Sequence, residues 1–158
     1  MGTNTYYTYE SPFGNIIIGS NGSAITCVKT EGSTEPFGKH ESTTLTDITA
    51  MQLEEYFARK RKRFDLPLSP YGTDFQRSVW NALCDIPYGK TRSYKQISFA
   101  IGNPKACRAV GLANNKNPIW IIIPCHRVIG ADGTLTGYGG GLKMKQRLLD
   151  IEEGKIRI

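Results

Sequence analysis

The chain has 158 residues, 39% hydrophobic and 10% aromatic, with 20 Lys and Arg against 14 Asp and Glu, a formal net charge of +6. This apolar content suits one ordinary domain or two small ones, and no run is long and apolar enough to span a bilayer. No charged start followed by an apolar stretch marks a secretory signal, so a soluble, cytoplasmic protein without membrane association is expected, nucleoid-associated if prokaryotic.

The charge is uneven. Residues 1–71 hold seven Lys/Arg and eight Asp/Glu, and residues 72–158 hold thirteen and six. A basic half joined to a neutral half predicts an acidic partner, of which nucleic acid is the commonest. Cysteines stand at 27, 84, 107 and 125, and the only histidines are His40 and His126. No CxxC or Cys/His cluster offers a zinc site, so no metal is expected. Three of the thiols read as small hydrophobes.

Taken in chain order, "TYYTYESPFGNIIIGSNGSAITCVKTEG" predicts two or three antiparallel strands, with "SNGS" as a hairpin turn. "STTLTDITAMQLEEYFARKRKRF" predicts a helix whose apolar side carries Ile48, Met51, Leu53, Tyr56 and Phe57. Its basic run, Arg59 to Arg63, suits a helix C-terminus. "FDLPLSPYGT", with two prolines and a glycine, reads as a linker. The expected units are therefore an α/β N-terminal domain, 1–71, and a mostly helical C-terminal domain, 72–158.

The second unit opens with a helix capped by Thr73 or Asp74, with Phe75, Val79, Trp80, Leu83 and Ile86 facing inward and Pro87 and Gly89 ending it. "SYKQISFAIG" predicts a short helix stopped by Gly102. "NPKACRAVGLANNKNP" predicts another, with Asn103 as N-cap and Pro104 in the first helical position. Two short helices around a tight turn have the shape of a helix-turn-helix. The second carries small residues at 106, 109, 111 and 113, suited to close approach, and one long cation, Arg108.

"PIWIIIPCHRVIGADG", residues 118–133, is the chemically suggestive stretch. "IWIII" reads as a strand buried on both faces, stopped by Pro124. Cys125 and His126 follow, a nucleophile beside a base. Neighbours in a strand point to opposite faces, so the two cooperate only through a bend or a bridging water. A carboxylate behind the imidazole would fix its tautomer. Asp132, Asp150, Glu152 and Glu153 are all candidates.

Three stretches, "GNPKACRAVGLANNKNP", "IPCHRVIG" and "GYGGGLKMKQRLLDIEEG", closely resemble the O6-alkylguanine-DNA alkyltransferases, also called methylated-DNA–protein-cysteine methyltransferases. The resemblance covers residues 72–154. The first unit fits the family's smaller domain in size and coarse pattern, including "SPFG". It implies a ribonuclease-H-like N-terminal domain and a C-terminal domain with a helix-turn-helix of the winged-helix type. It implies a monomer that binds double-stranded DNA from the minor-groove side, flips out an O6-alkylguanine and moves the alkyl group irreversibly to its own cysteine. O4-alkylthymine would be a further substrate, and no cofactor is needed.

Residue by residue, Cys125 matches the alkyl acceptor. His126 matches the base that draws off its proton through a water, and Glu152 the carboxylate that orients the histidine. Asn117 matches the brace of the turn, and Arg108 the finger replacing the flipped nucleotide. Tyr94 matches a tyrosine that helps rotate the nucleotide and donates to the base. Tyr138, Gly139 and Gly140 match the loop over the guanine, and Lys145 a lysine near the pocket. Carbonyls of Cys125 and Val128 would accept from the guanine amino group. Asn114 and Trp120 fall on pocket positions, the latter where mammalian members have proline. Ala106, Cys107, Ala109, Gly111 and Asn115 fall on the DNA-facing helix, Asn115 replacing a basic residue found in some members, and Gly139 stands where others have serine. Alkyltransferase-like proteins, which only recognise damage, share the scaffold but lack the cysteine. A cysteine-sensing DNA-binding regulator and a thiol hydrolase are the other readings.

Overall fold

The computed structural model describes residues 3–33 and 35–155; residues 1–2 and 156–158, the outer ends of the two expected units, lie outside the described residues, as does Thr34. Strands β1 (Thr5–Tyr9), β2 (Ile16–Ser20) and β3 (Ile25–Thr30) form an antiparallel meander. Its second turn is the "SNGS" hairpin, closed by Asn21 N donating to Ala24 O at 3.1 Å. A two-residue strand, β4 (Lys39–His40), adds parallel to β1, giving the order β3-β2-β1-β4. The sheet is thus mixed at one edge rather than wholly antiparallel.

Helix α1 (Thr44–Phe57) covers this sheet, capped by a reciprocal Thr43–Thr46 box. Ile48 and Met51 do not face the core as the spacing predicts; both are exposed, and Thr46, Thr49 and Gln52 are buried beside Leu53, Tyr56 and Phe57. The buried polar groups are satisfied locally. Thr49 Oγ1 donates to Leu45 O at 2.8 Å, and Gln52 exchanges two hydrogen bonds with the Asp65 backbone. Hydrophobicity therefore places Leu53, Tyr56 and Phe57 rightly and Ile48 and Met51 wrongly. The helix also ends earlier than expected. Arg59 takes a positive φ of 61°, so the basic run lies beyond the last turn.

The free edge of β3 is covered from both sides of the chain. Ile25 N donates to Pro67 O, and Ser69 N to Ile25 O, both at 2.8 Å, so the expected linker is laid along the sheet. Further along, Val28 N donates to Pro118 O and Trp120 N to Val28 O, both at 2.9 Å. Edge pairing of this kind blunts an otherwise sticky strand, and it fastens residues 118–120 to the N-terminal sheet.

The second unit holds α2 (Asp74–Cys84), β5 (Arg92–Ser93), α3 (Tyr94–Ala100), α4 (Cys107–Asn115), a 3₁₀ turn (Cys125–Arg127), β6 (Val128–Ile129) and α5 (Leu142–Glu153). Capping boxes Thr73–Gln76 and Ser93–Gln96 start α2 and α3. The β5 and β6 dipeptides pair in parallel. Trp80 Nε1 donates to Ala113 O at 2.9 Å, locking α2 to α4 inside a core shared by both units.

Two expectations fail here. Helix α4 begins at Cys107, with Ala106 as an N-cap that makes no side-chain bond. Asn103 and Pro104 instead form the preceding turn, where Ala106 N donates to Asn103 O. The run "IWIII" is buried throughout, but it is a turn and not a strand. Ile121 sits at φ 72°, a region β-branched residues rarely visit. Burial on all sides gives a buried turn the same apolar signature as a buried strand. Of the thiols read as small hydrophobes, Cys84 and Cys107 are exposed and Cys27 is half-buried, so none of the three lies in the core; all four cysteines are free.

Candidate active site

The site begins with Asn117, which is fully buried. Its Nδ2 donates to Ile123 O at 2.8 Å, and its Oδ1 accepts from Ile119 N at 2.9 Å. One amide thus pins both ends of the 119–123 turn and holds the strained Ile121 in place. The chain then enters the 3₁₀ turn, which removes the strand geometry that would have separated Cys125 from His126. Both side chains are buried, at 2% and 0% exposure.

Behind the histidine lies Glu152, the one of the four candidate carboxylates brought to this site. His126 Nε2 stands 2.6 Å from Glu152 Oε2. The same carboxylate accepts from Arg127 Nε at 2.8 Å and Nη2 at 3.0 Å, from Tyr56 Oη at 2.5 Å, and from Gly89 N at 3.3 Å. Burial alone would raise the Glu152 pKa, but His126 and Arg127 outweigh it and hold the carboxyl well below its usual range. Glu152 is therefore an acceptor, and the hydrogen between it and His126 sits on Nε2. Nδ1 of His126 is left as a lone pair, buried and without a hydrogen-bond partner among the described residues.

Burial dominates the two reacting groups. It lowers the His126 pKa, against the pull of Glu152, and it pushes the Cys125 thiol up to about 11, which Asn117 and Lys145 only partly offset. The resting pair is a thiol and a neutral imidazole, the states from which a base can draw a proton off sulfur.

The other wall is a loop tied down by Lys145 and Tyr94. Lys145 Nζ is buried and donates to the carbonyls of Val128 at 2.5 Å, Thr136 at 2.6 Å and Gly137 at 3.3 Å. Desolvation brings its pKa down to about 8. Tyr94 Oη donates to Thr136 O at 3.2 Å and accepts from Thr136 Oγ1 at 2.8 Å. Tyr138 is buried against Trp120, with ring centroids 5.5 Å apart, and its hydroxyl has no partner among the described residues. A Cβ on Gly139 would come within 2.5 Å of the Trp120 ring, and one on Gly140 within 2.5 Å of Met144 Sδ. Only glycine lets the loop lie this close. Asn114, also buried, donates from Nδ2 to Cys125 O at 3.3 Å and keeps an unpartnered Oδ1. The carbonyls of Cys125 and Val128 thus already take internal donors, Asn114 Nδ2 and Val128 N on the first and Lys145 Nζ on the second.

Helix α4 presents Cys107, Arg108, Ala109 and Asn115 to solvent, with Ala106 and Gly111 half-buried. Reasoning from sequence places Tyr56 only in the core and Gly89 only at a helix end, and gives no role to Arg127 or Thr136. Arg127 could have been suspected from its place in "CHR". No sequence signal links Tyr56 to a carboxylate 96 residues away. Among the described residues no group of three His, Cys, Asp or Glu could hold a metal ion, and no helix is long and apolar enough to cross a membrane.

Two short packed helices, α3 and α4, beside a buried cluster of Cys125, His126 and Glu152 have the form of a DNA-binding unit that carries a thiol, an imidazole and a carboxylate in one site. Residues 74–154 match the 6-O-methylguanine DNA methyltransferase DNA-binding domain, and residues 4–70 match the ribonuclease-like domain of the same family. The chain belongs to the 6-O-methylguanine DNA methyltransferase family. It is 53% identical over 156 residues to a Methanosarcina barkeri methylated-DNA–protein-cysteine methyltransferase, covering 96% of this chain and 99% of that one. The Mycobacterium tuberculosis protein of that name is 48% identical over 153 residues, with 95% and 93% covered. The crystal structure of Mycobacterium tuberculosis OGT in complex with DNA superposes with a TM-score of 0.91 at 46% identity, covering 97% of this chain and 95% of the other.

Proposed function

We propose that the chain repairs alkylated DNA by direct reversal, moving the alkyl group of O6-alkylguanine in a duplex onto Cys125 in a single irreversible turnover. The observation that carries this reading is the buried relay Cys125, His126, Glu152, with Nδ1 of His126 free to take a proton and Nε2 fixed by the carboxylate. In chemical terms, the sulfur attacks the alkyl carbon as the S–C bond forms and the C–O6 bond breaks. The bonding pair returns to the guanine, and the thiol proton, passed through His126, ends on the released base. The product is a thioether, which no group in the site can cleave, so each molecule acts once.

An alkyl group on O6 lies inside the base stack, so the nucleotide must leave the helix before a buried sulfur can reach it. In this reading α4 enters the minor groove and Arg108 fills the space left by the nucleotide, a wedge of the kind minor-groove binders use. Small residues at 106, 109 and 111 permit the approach, and Asn115 flanks it. The excess of Lys and Arg in 72–158 supplies phosphate attraction that weakens with salt. The base enters between Tyr138 and Asn114, under Gly139 and Gly140, with Trp120 behind. Tyr94 exchanges its Thr136 bond for one to the departing base, and Lys145 keeps the loop in register. The protein works as a monomer of two units, 1–71 and 72–158.

Recovery of unmodified guanine tests the reading. In a duplex bearing one O6-methylguanine, restored guanine should equal the protein added, not increase with time, and vanish with Cys125→Ala. Tight damage-selective binding with no restored guanine would instead identify a recognition module.

A further inference from the structure

We propose that Tyr56, supplied by the N-terminal unit, is a positioning residue for the acceptor cysteine. Its hydroxyl donates to the same Glu152 oxygen that His126 uses, and so sets both the place of that carboxylate and the charge it lends the imidazole. The reaction served is the alkyl transfer proposed above.

Tyr56 is fully buried in the last turn of α1. Such a phenol needs a hydrogen-bond partner, and any backbone carbonyl would satisfy it. Here it reaches instead to Glu152 Oε2 at 2.5 Å, beside His126 Nε2 at 2.6 Å and Arg127 Nη2 at 3.0 Å on the same oxygen. A hydroxyl bonded to a carboxylate makes a short, strong, charge-assisted bond. The ring is fixed by Phe57, Phe64 and Tyr88, whose centroids lie 5.5 to 6.1 Å away. Burial and the Glu152 charge hold the phenol pKa well above its ordinary value, so it stays a donor at any working pH. The charges that bear most on Tyr56 are those of Glu152 and Arg127, with Tyr88 beside it, and on His126 those of Glu152, Arg127 and Lys145; Tyr56 and His126 meet on Glu152 Oε2, and Cys125 adjoins His126 in the chain.

A carboxylate shares its negative charge among its donors. Density given to Tyr56 is withheld from His126, so this bond keeps the imidazole from becoming too basic. It also makes docking of the N-terminal unit on α5 a condition for an ordered relay. The N-terminal unit thereby takes part in the chemistry without touching substrate.

Two variants test this with opposite expected signs. Tyr56→Phe keeps the ring and deletes the donor. Replacing Tyr56 by 3-fluorotyrosine makes the phenol more acidic and the donated bond stronger. With only two histidines, one exposed and one buried, the imidazole signals are assignable by NMR. In the Phe variant the Nε2 proton of His126 should move downfield, and the acid limb of the transfer-rate profile should rise by about half a pH unit to one unit. In the fluorotyrosine protein both should move the other way. Affinity for the methylated duplex should be unchanged in each, and His40 should not respond. If the Phe variant does not fold, the fluorotyrosine shift alone decides. A His126 signal that stays at its wild-type position in the folded variants, or moves the same way in both, overturns the proposal. Wild-type protein that transfers no methyl would overturn the repair reading instead, and the His126 shifts would still be read.

Discussion

The two ends of the buried site follow opposite rules. At the Glu152 end each carboxylate oxygen is multiply bonded, to His126, Arg127, Tyr56 and Gly89. At the Tyr138 end three buried polar atoms, Tyr138 Oη, Asn114 Oδ1 and His126 Nδ1, have no hydrogen-bond partner among the described residues. Such atoms ordinarily cost stability. Satisfied networks rigidify, and a buried polar atom without a protein partner is available to a water, a ligand or a proton. On the function proposed above, one end holds the base catalyst still and the other meets the nucleobase. His126 belongs to both, through its two nitrogens.

Cys125 stands where the ends meet, and its removal should have the largest effect. Cys125→Ala should abolish transfer while leaving affinity for a methylated duplex within about twofold, since the proposed function places recognition in α4 and the loop. Rapid-quench transfer and equilibrium titration separate the two.

Glu152→Gln should break the saturated end. It leaves the Arg127 guanidinium buried without its counter-charge, a loss of about 3–5 kcal/mol in chemical denaturation. The wild-type carboxyl has a folded pKa depressed below its ordinary 4.5. Its stabilisation is therefore complete above about pH 4.5 and is lost as pH falls further toward the folded value. The Gln variant should lack that part of the acid limb.

At the receiving end the loop should be sensitive to added volume. Gly139→Ser places a Cβ against the Trp120 ring and should cost about 2 kcal/mol by overpacking. In a Trp120→Ala background the same change should cost far less, a coupling that a double-mutant cycle reads directly. Equal costs in both backgrounds would mean that the loop does not rest on Trp120.

The smallest effect is the most discriminating. Tyr138→Phe removes a buried hydroxyl with no partner, so the free protein should gain about 1 kcal/mol, while transfer slows. A variant that loses stability would show that the hydroxyl is satisfied in the resting protein and would dissolve the contrast.

Much of this was legible in the sequence, for identifiable reasons. The cap at Thr73 and the stop at Gly102 carry local signals that tertiary packing does not override. The constellation Cys125, His126, Glu152 was assigned by resemblance, because nothing in the spacing separates Glu152 from Asp132, Asp150 or Glu153. Residues 119–123 misled because an apolar run without a period cannot distinguish a buried strand from a buried turn. Ile48 and Met51 misled because the inner face of α1 buries threonines that bond within their own helix. The role of Tyr56 lay out of reach, since it depends on how two distant segments dock.

The central claim is that Cys125 itself keeps the alkyl group, and intact-protein mass tests it most directly. After mixing with a duplex bearing one O6-methylguanine, the chain should gain the mass of one CH2. The gain should saturate at one equivalent, map to the peptide containing Cys125, and disappear with Cys125→Ala. Restoration of guanine with no mass gain, or with the gain on Cys27, Cys84 or Cys107, would contradict the account.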